Sequence, residues 1–170
     1  MAAITPPQIR TSYSTLQIAL HWGIAAIVLF QLTLGESMTA YVDGIAEGTA
    51  VSPFDTNLAT LHFYAGIAIL LLVAVRLAVR LYSGVPAAPV TSTSWMEIAA
   101  KATHWLFYGL LIAVPVTGLL GYYTEGPFGD IHSWAKPVFI GLIAIHASAA
   151  LFHQFWLKDG TLMRMIKPTQ

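Results

Sequence analysis

Residues 131–153 read I-H-S-W-A-K-P-V-F-I-G-L-I-A-I-H-A-S-A-A-L-F-H, and this stretch decides the fold. It is an apolar helix candidate with His132 at its start, His146 inside it and His153 near its end. His132 and His146 are 14 residues apart. At 100° per residue that spacing falls within about 40° of four full turns, so both imidazoles point to one face. At 1.5 Å per residue they stand about 21 Å apart along the axis. That distance is most of the roughly 30 Å hydrocarbon thickness of a bilayer. Two imidazoles on one face, one near each membrane surface, suit two axial ligands for two stacked cofactors. The rest of the chain is read as supplying their partners.

Composition supports a membrane setting. Of the 170 residues, 56% are hydrophobic and only 9% charged, where a soluble domain carries about a quarter charged residues. The formal net charge is zero, which argues against a nucleic-acid-binding surface. There is no cysteine. Disulfides, thiolate zinc sites, cysteine-held iron–sulfur clusters and covalent c-type haem attachment are therefore excluded. Among strong metal ligands, six histidines remain. The polar residues 1–10 include Pro6, Pro7 and Arg10 and lack the basic and apolar regions of a cleavable signal. The first apolar helix is therefore expected to stay in the protein.

Hydropathy divides the chain into four spans, at about 17–35, 58–82, 97–122 and 134–157, within a single domain over 1–170. A loop rich in Gly, Ser, Thr and acids is expected between the first two spans. A Pro/Thr/Ser linker and then a short loop with Gly126, Pro127 and Gly129 join the others. Pro115 is expected to kink the third span, and Pro137 suits a first helical turn. The expected fold is all-α, a four-helix transmembrane bundle. Lys and Arg set its orientation. Arg10, Arg76, Arg80, Lys101, Lys158, Arg164 and Lys167 fall on one side and Lys136 alone on the other. Both termini are then cytoplasmic. The outer loops carry Glu36, Asp43, Glu47, Asp55, Glu125 and Asp130.

Histidine inside a membrane faces the bundle interior, a partner or a cofactor. Depth offers two pairs: His62 with His132 outside, and His21 with His146 inside. Facing neutral imidazoles, apolar surroundings and no thiol suit bis-His ligation of b-type haem. His153 lies seven residues beyond His146 on nearly the same face and is an alternative inner ligand. His104 lies at a depth similar to His21. Proton handling or hydrogen bonding is expected of His104 and His153. Arg76, Arg80 and Lys101 are orientation charges, with pairing to haem propionates as the functional alternative. Gly23, Gly66, Gly109, Gly118, Gly121 and Gly141 allow close helix approach or give room to a flat macrocycle. The Trp and Tyr residues near span ends read mainly as an aromatic belt.

Four runs carry a family resemblance: Y-S-T-L-Q-I-A-L-H-W (13–22), L-H-F-Y-A-G followed by V-R-L-A-V-R-L (61–66 and 75–81), K-A-T-H-W-L-F-Y-G-L-L-I-A-V-P-V-T-G-L (101–119), and I-H-A-S-A-A-L-F-H-Q-F-W-L-K-D-G-T-L-M-R-M (145–165). They resemble the bacterial cytochrome b561 family, small four-helix di-haem cytochromes of the inner membrane. The resemblance covers nearly the whole chain. It extends to the membrane cytochrome b subunits of nickel–iron hydrogenases and formate dehydrogenases. In that wider group the ligands are one His on each of the first two helices and two spaced by 14 on the last. The resemblance thus implies His21, His62, His132 and His146 as ligands of two haem b, and favours His146 over His153.

The family includes superoxide oxidase, which passes electrons from periplasmic superoxide through the haems to ubiquinone. The resemblance implies that activity here. Lys136, as the outer-side cation, is then the expected point of attraction for superoxide, and the quinone is placed near His104, His153 or Lys101. One alternative is an anchoring conduit between a dehydrogenase or hydrogenase partner and the quinone pool. The other is a haem-free, His-rich metal or proton transporter, which the lack of intramembrane Asp or Glu argues against.

Overall fold

The computed structural model describes residues 12–89 and 91–168; Arg10, counted above among the inner-side charges, lies outside the described residues. Among those residues the protein is all-helical. Helix α1 is Thr15–Glu47, α2 Pro53–Ser83, α3 Ser94–Tyr123, α4 Phe128–Ser133 and α5 Ala135–Phe152. A π-turn, His153–Leu157, and a 3-10 turn, Met163–Met165, follow. Helices α1, α2 and α3, and the combined Phe128–Leu157 segment, are each long and apolar enough to cross a membrane.

Local chemistry sets where the helices begin. Ser14 caps α1 through a reciprocal capping box with Gln17, which satisfies two otherwise unpaired backbone donors. Ser52 caps α2 by accepting from Asp55 N–H at 3.0 Å, with Pro53 in the first turn. Helix α1 ends at Gly48, in the left-handed region at φ 66°, where glycine carries no Cβ penalty.

Three boundaries differ from the sequence expectation. Residues 35–47, read as loop, continue α1. No proline interrupts the helix there, and scattered Gly, Ser and Thr each cost at most about 1 kcal/mol of propensity. Leu34, just before this extension, and Gly44 within it are buried. Helix α2 begins at Pro53, five residues before the expected 58; Pro115 lies inside α3. The fourth span begins earlier than expected, at Phe128, and its ladder is interrupted only at Trp134. Pro137 has no N–H to give to the Ser133 carbonyl, so the break falls where that bond is lacking.

The helices pair antiparallel with a shared register. Arg76 Nη1 donates to the Gln17 carbonyl at 2.8 Å, and Gln31 Nε2 donates to the His62 carbonyl at 2.9 Å. Each contact on α1 lies 14 residues from the other, as does each on α2. A buried cluster of Ile24, Val28, Ile69, Val73, Tyr108 and Phe139 sits between those two depths. Outside it, large apolar side chains face away from the bundle: Leu71 and Ile145 are each 65% exposed. An apolar exterior of that kind is matched by lipid rather than water. Both described chain ends lie at one end of the bundle. Ser12 Oγ donates to the Arg164 carbonyl at 2.8 Å, and Trp22 Nε1 donates to the Met165 carbonyl at 2.7 Å.

The tightest helix approach is at Gly121, where a Cβ would fall 2.7 Å from Gly129 N and 2.9 Å from its Cα. Backbone cannot swing aside as a side chain can. Gly121→Val is expected to destabilise the bundle by about 1–3 kcal/mol, whereas Gly141→Val, where a Cβ meets nothing within 4 Å, leaves it near wild type. Thermal unfolding of the two variants in detergent checks this.

Candidate functional site

The functional side chains gather at two depths. At the level of Gln31, the rings of His62 on α2 and His132 on α4 have centroids 5.9 Å apart and planes at 80°. His132 Nδ1 lies 2.8 Å from the Val114 carbonyl of α3. A carbonyl only accepts, so Nδ1 carries the proton and Nε2 keeps its lone pair free. The imidazole fits there because residue 118 is glycine: a Cβ would stand 2.9 Å from His132 Cε1 and Nδ1. His62 Nδ1 is buried without a hydrogen-bond partner, as is Gln31 Oε1.

At the level of Gln17 and Arg76, the rings of His21 on α1 and His146 on α5 have centroids 6.3 Å apart at 60°. His104 of α3 and Phe107 flank His146 at 5.5 and 5.3 Å. Arg76 and Arg80 line a small cleft with Tyr13, Gln17 and Tyr108 beside this cluster. The Arg80 guanidinium lies 6.0 Å from the Tyr108 ring centroid, within cation–π range.

His153 is placed elsewhere. Its Nδ1 meets Asp159 Oδ2 at 2.5 Å, and its one ring contact is Phe152. Lys158 turns the chain back through the left-handed region at φ 52°, which brings Asp159 under the imidazole. Asp159 Oδ1 accepts from Thr161 N–H at 2.9 Å and Thr161 Oγ1 at 2.6 Å, and Oδ2 from Thr91 Oγ1 at 3.3 Å. Burial alone would raise this carboxyl; the bonds from Thr161 and His153 outweigh it and hold Asp159 below the usual carboxylate range. Of the remaining sequence candidates, Lys101 is a surface residue 3.9 Å from Glu97. Lys136 is exposed on the first turn of α5 and makes no ion pair among the described residues.

The structure thus brings together His62 with His132 and His21 with His146, and adds His104 to the second pair. His153 is engaged by Asp159 instead, and Lys101 by Glu97. Gln31, the Val114 carbonyl and Asp159 were not singled out by their roles in the sequence; Gly118 was read there only as one of six glycines allowing close approach or room for a macrocycle. A Gln inside an apolar span was the available signal for the first.

The donor set fits a metal that arrives already held in a ring. Two imidazole nitrogens on one metal, at bonds of about 2 Å each, put ring centroids roughly 6 Å apart, and the observed pairs lie at 5.9 and 6.3 Å. No group of three His, Cys, Asp or Glu is arranged to hold a bare ion among the described residues; two facing imidazoles at each level match the axial pair that a macrocycle-held iron takes. The unpartnered His62 ring nitrogen and the open space beside Gly23 and Gly109 are consistent with that occupant.

The sequence profile of the family described as prokaryotic cytochrome b561 matches residues 12–168. The chain belongs to that family. It is 35% identical to cytochrome b562 of Cereibacter sphaeroides, over 92% of this chain and 96% of that protein. It is 31% identical to the probable superoxide oxidase CybB of Yersinia pestis, over 91% and 95%. Cytochrome b561 homolog 1 of Escherichia coli is 29% identical, over 91% and 96%. Membership implies haem b binding and membrane electron transfer, in keeping with four apolar helices and intramembrane histidine pairs.

The Asp159 shift gives a pH test. A depressed carboxylate contributes stability above its unfolded pKa and loses it as pH falls through the folded value. Amide protection at Thr161 is therefore expected to be full at neutral pH and to fade only as pH falls below the ordinary carboxylate range. Asp159→Asn is expected to lower that protection already at neutral pH and to flatten its pH dependence. Hydrogen-exchange mass spectrometry of the C-terminal peptide reads both.

Proposed function

We propose that this protein is a di-haem b electron carrier of the bacterial inner membrane that oxidises superoxide at the periplasmic face and reduces ubiquinone. The observation that carries the reading is the two histidine pairs, with ring separations of 5.9 and 6.3 Å at two depths. The relative named as a probable superoxide oxidase supplies the donor. Both termini are assigned to the cytoplasm from the Lys/Arg bias, so His62 and His132 hold the outer haem and His21 and His146 the inner one. Each haem, when bound, supplies one-electron redox chemistry.

The chain's own residues do the rest. The paired imidazoles would hold the haem iron at each level and leave no ligand position for water. The Val114 carbonyl orients His132 and makes it a more basic ligand. Lys136 is the one outer-face cation and attracts superoxide. Arg76 and Arg80 place positive charge at the inner level, where haem propionates or a quinone meet them. Two superoxide anions give up one electron each and leave as dioxygen; ubiquinone gains both electrons and two protons. His104 and the His153–Asp159 pair are the inner-end groups able to handle those protons, with Lys101 at the surface beyond them.

A second reading rests on a specific feature. Beyond the His62 level, α1 and α2 continue as a hairpin carrying Glu36, Asp43, Glu47 and Asp55, which opposes anion steering. On that reading the protein is a conduit between a dehydrogenase or hydrogenase partner and the quinone pool.

Rapid mixing of the oxidised protein with superoxide decides between the two. Fast haem reduction that superoxide dismutase abolishes, followed by reoxidation with ubiquinone, is the expected result. Haems that stay oxidised would move the function to the partner-driven reading. His62→Ala and His146→Ala are each expected to lose about one haem per chain; loss in His153→Ala instead would refute the inner pair. Arg76→Gln is expected to lower the midpoint potential of the inner haem, because a nearby cation favours the added electron. A redox titration that shows no change in the inner haem would remove Arg76 from this role.

A further inference from the structure

The two depths are built from the same register but not from the same residues. Helix α3 passes both, with His104 beside His146 and Gly118 beside His132. These α3 positions are 14 residues apart, as are the two on the last span. Where α3 offers a ring at the inner level, it offers an absence at the outer one. At Gly118 a Cβ would lie 2.9 Å from both Nδ1 and Cε1 of His132 and 3.5 Å from Cγ. The neighbour met is a ring edge, not the free end of a flexible chain. The ring is also tethered, since Nδ1 donates to the Val114 carbonyl at 2.8 Å, one helical turn before Gly118 on the same face. Thr117 Oγ1 donates to that carbonyl as well, at 2.8 Å. The imidazole is thus held from one side by a hydrogen bond and admitted from the other by the missing Cβ.

We propose that Gly118 is a positioning residue: with the Val114 carbonyl it forms the seat that sets the orientation of His132 towards His62. This rests on the bis-His reading of the outer pair. Alanine at 118 favours a helix by roughly 0.5–1 kcal/mol over glycine. Any harm from Gly118→Ala therefore comes from the contact with His132 and not from the helix. The ring must shift or rotate by a few tenths of an ångström to admit the methyl group. The Nδ1 bond then lengthens, and the angle to the His62 plane, 80° here, changes.

The experiment uses purified Gly118→Ala, with Gly141→Ala as the control, since Gly141 lies exposed on α5 about 140° round the helix from His146 and its added Cβ meets nothing within 4 Å. Haem content, the low-spin ferric electron paramagnetic resonance spectrum and the two midpoint potentials are recorded. The g-tensor of a ferric bis-imidazole centre responds to the angle between the ring planes, so it reports the seat directly. The expected result is a shifted g-value and potential for the outer haem, with those of the inner haem and of Gly141→Ala unchanged. An outer haem identical to wild type in both would overturn the proposal.

If Gly118→Ala does not accumulate, Gly118→Ala is combined with His132→Ala, which removes the ring it would strike. The double variant is then expected to match His132→Ala alone in accumulation and haem content. An additive loss would overturn the proposal. Variants His62→Ala and His132→Ala test the underlying reading separately. If they keep all their haem, the bis-His assignment fails whatever Gly118→Ala does. If they lose haem while Gly118→Ala matches wild type, only the seat fails.

Discussion

A polar side chain inside a bilayer must find its partner at its own depth, because water is not there to supply one. That constraint organises this protein. One α-helical step of 14 residues covers about 21 Å, and the step recurs on every spanning helix. It separates Gln17 from Gln31, His62 from Arg76, His104 from Gly118, and His132 from His146. The hydrogen bonds from Arg76 to the Gln17 carbonyl and from Gln31 to the His62 carbonyl lock α1 to α2 in that register. The ring contacts of His146 with His104 and of His132 with Gly118 show the same register between α3 and the last span. Two polar layers result, near opposite membrane surfaces.

Between them lies the apolar layer of Ile24, Val28, Ile69, Val73, Tyr108 and Phe139. It is thin for a protein of this length, and among the described residues Val73 alone is completely enclosed. In lipid, burying apolar surface gives helices little reason to associate, and packing and interhelical hydrogen bonds take over. Small residues matter accordingly. Gly121 lets the α3 backbone meet that of α4, and Gly118 admits a ring. Neither effect depends on unusual backbone angles; both depend on the space a Cβ would have filled.

The depth pairing was legible in the sequence because helical rise and rotation are fixed quantities, and because an apolar span makes any histidine conspicuous. The same arithmetic left His146 and His153 nearly equivalent, since seven residues return almost to the same face. What separates them is tertiary. Asp159 reaches His153 only because Lys158 adopts a left-handed turn that a lysine rarely takes. The Val114 carbonyl was invisible for a related reason, since a backbone acceptor carries no sequence signature. The loop expected at 35–47 erred because Gly, Ser and Thr were weighed as breakers. With α2 alongside and no proline, they are tolerated.

The two layers also differ in charge, and the difference has a direction. Arg76 and Arg80 stand beside the inner histidines, and the basic C-terminal turn lies at the same end of the bundle. At the outer layer the polar groups met are Gln31, the Thr117 hydroxyl and a backbone carbonyl, all uncharged, with acids on the hairpin beyond. A redox centre among cations holds an added electron more tightly than one among neutral and anionic groups. On the di-haem reading, the electrostatics therefore favour electron transfer from the outer pair to the inner one. Reduction of a quinone at the inner end then draws on the same cations, because they favour each added electron there. On that reading the Lys and Arg residues that would orient the chain by the positive-inside rule also set the slope along which its electrons move.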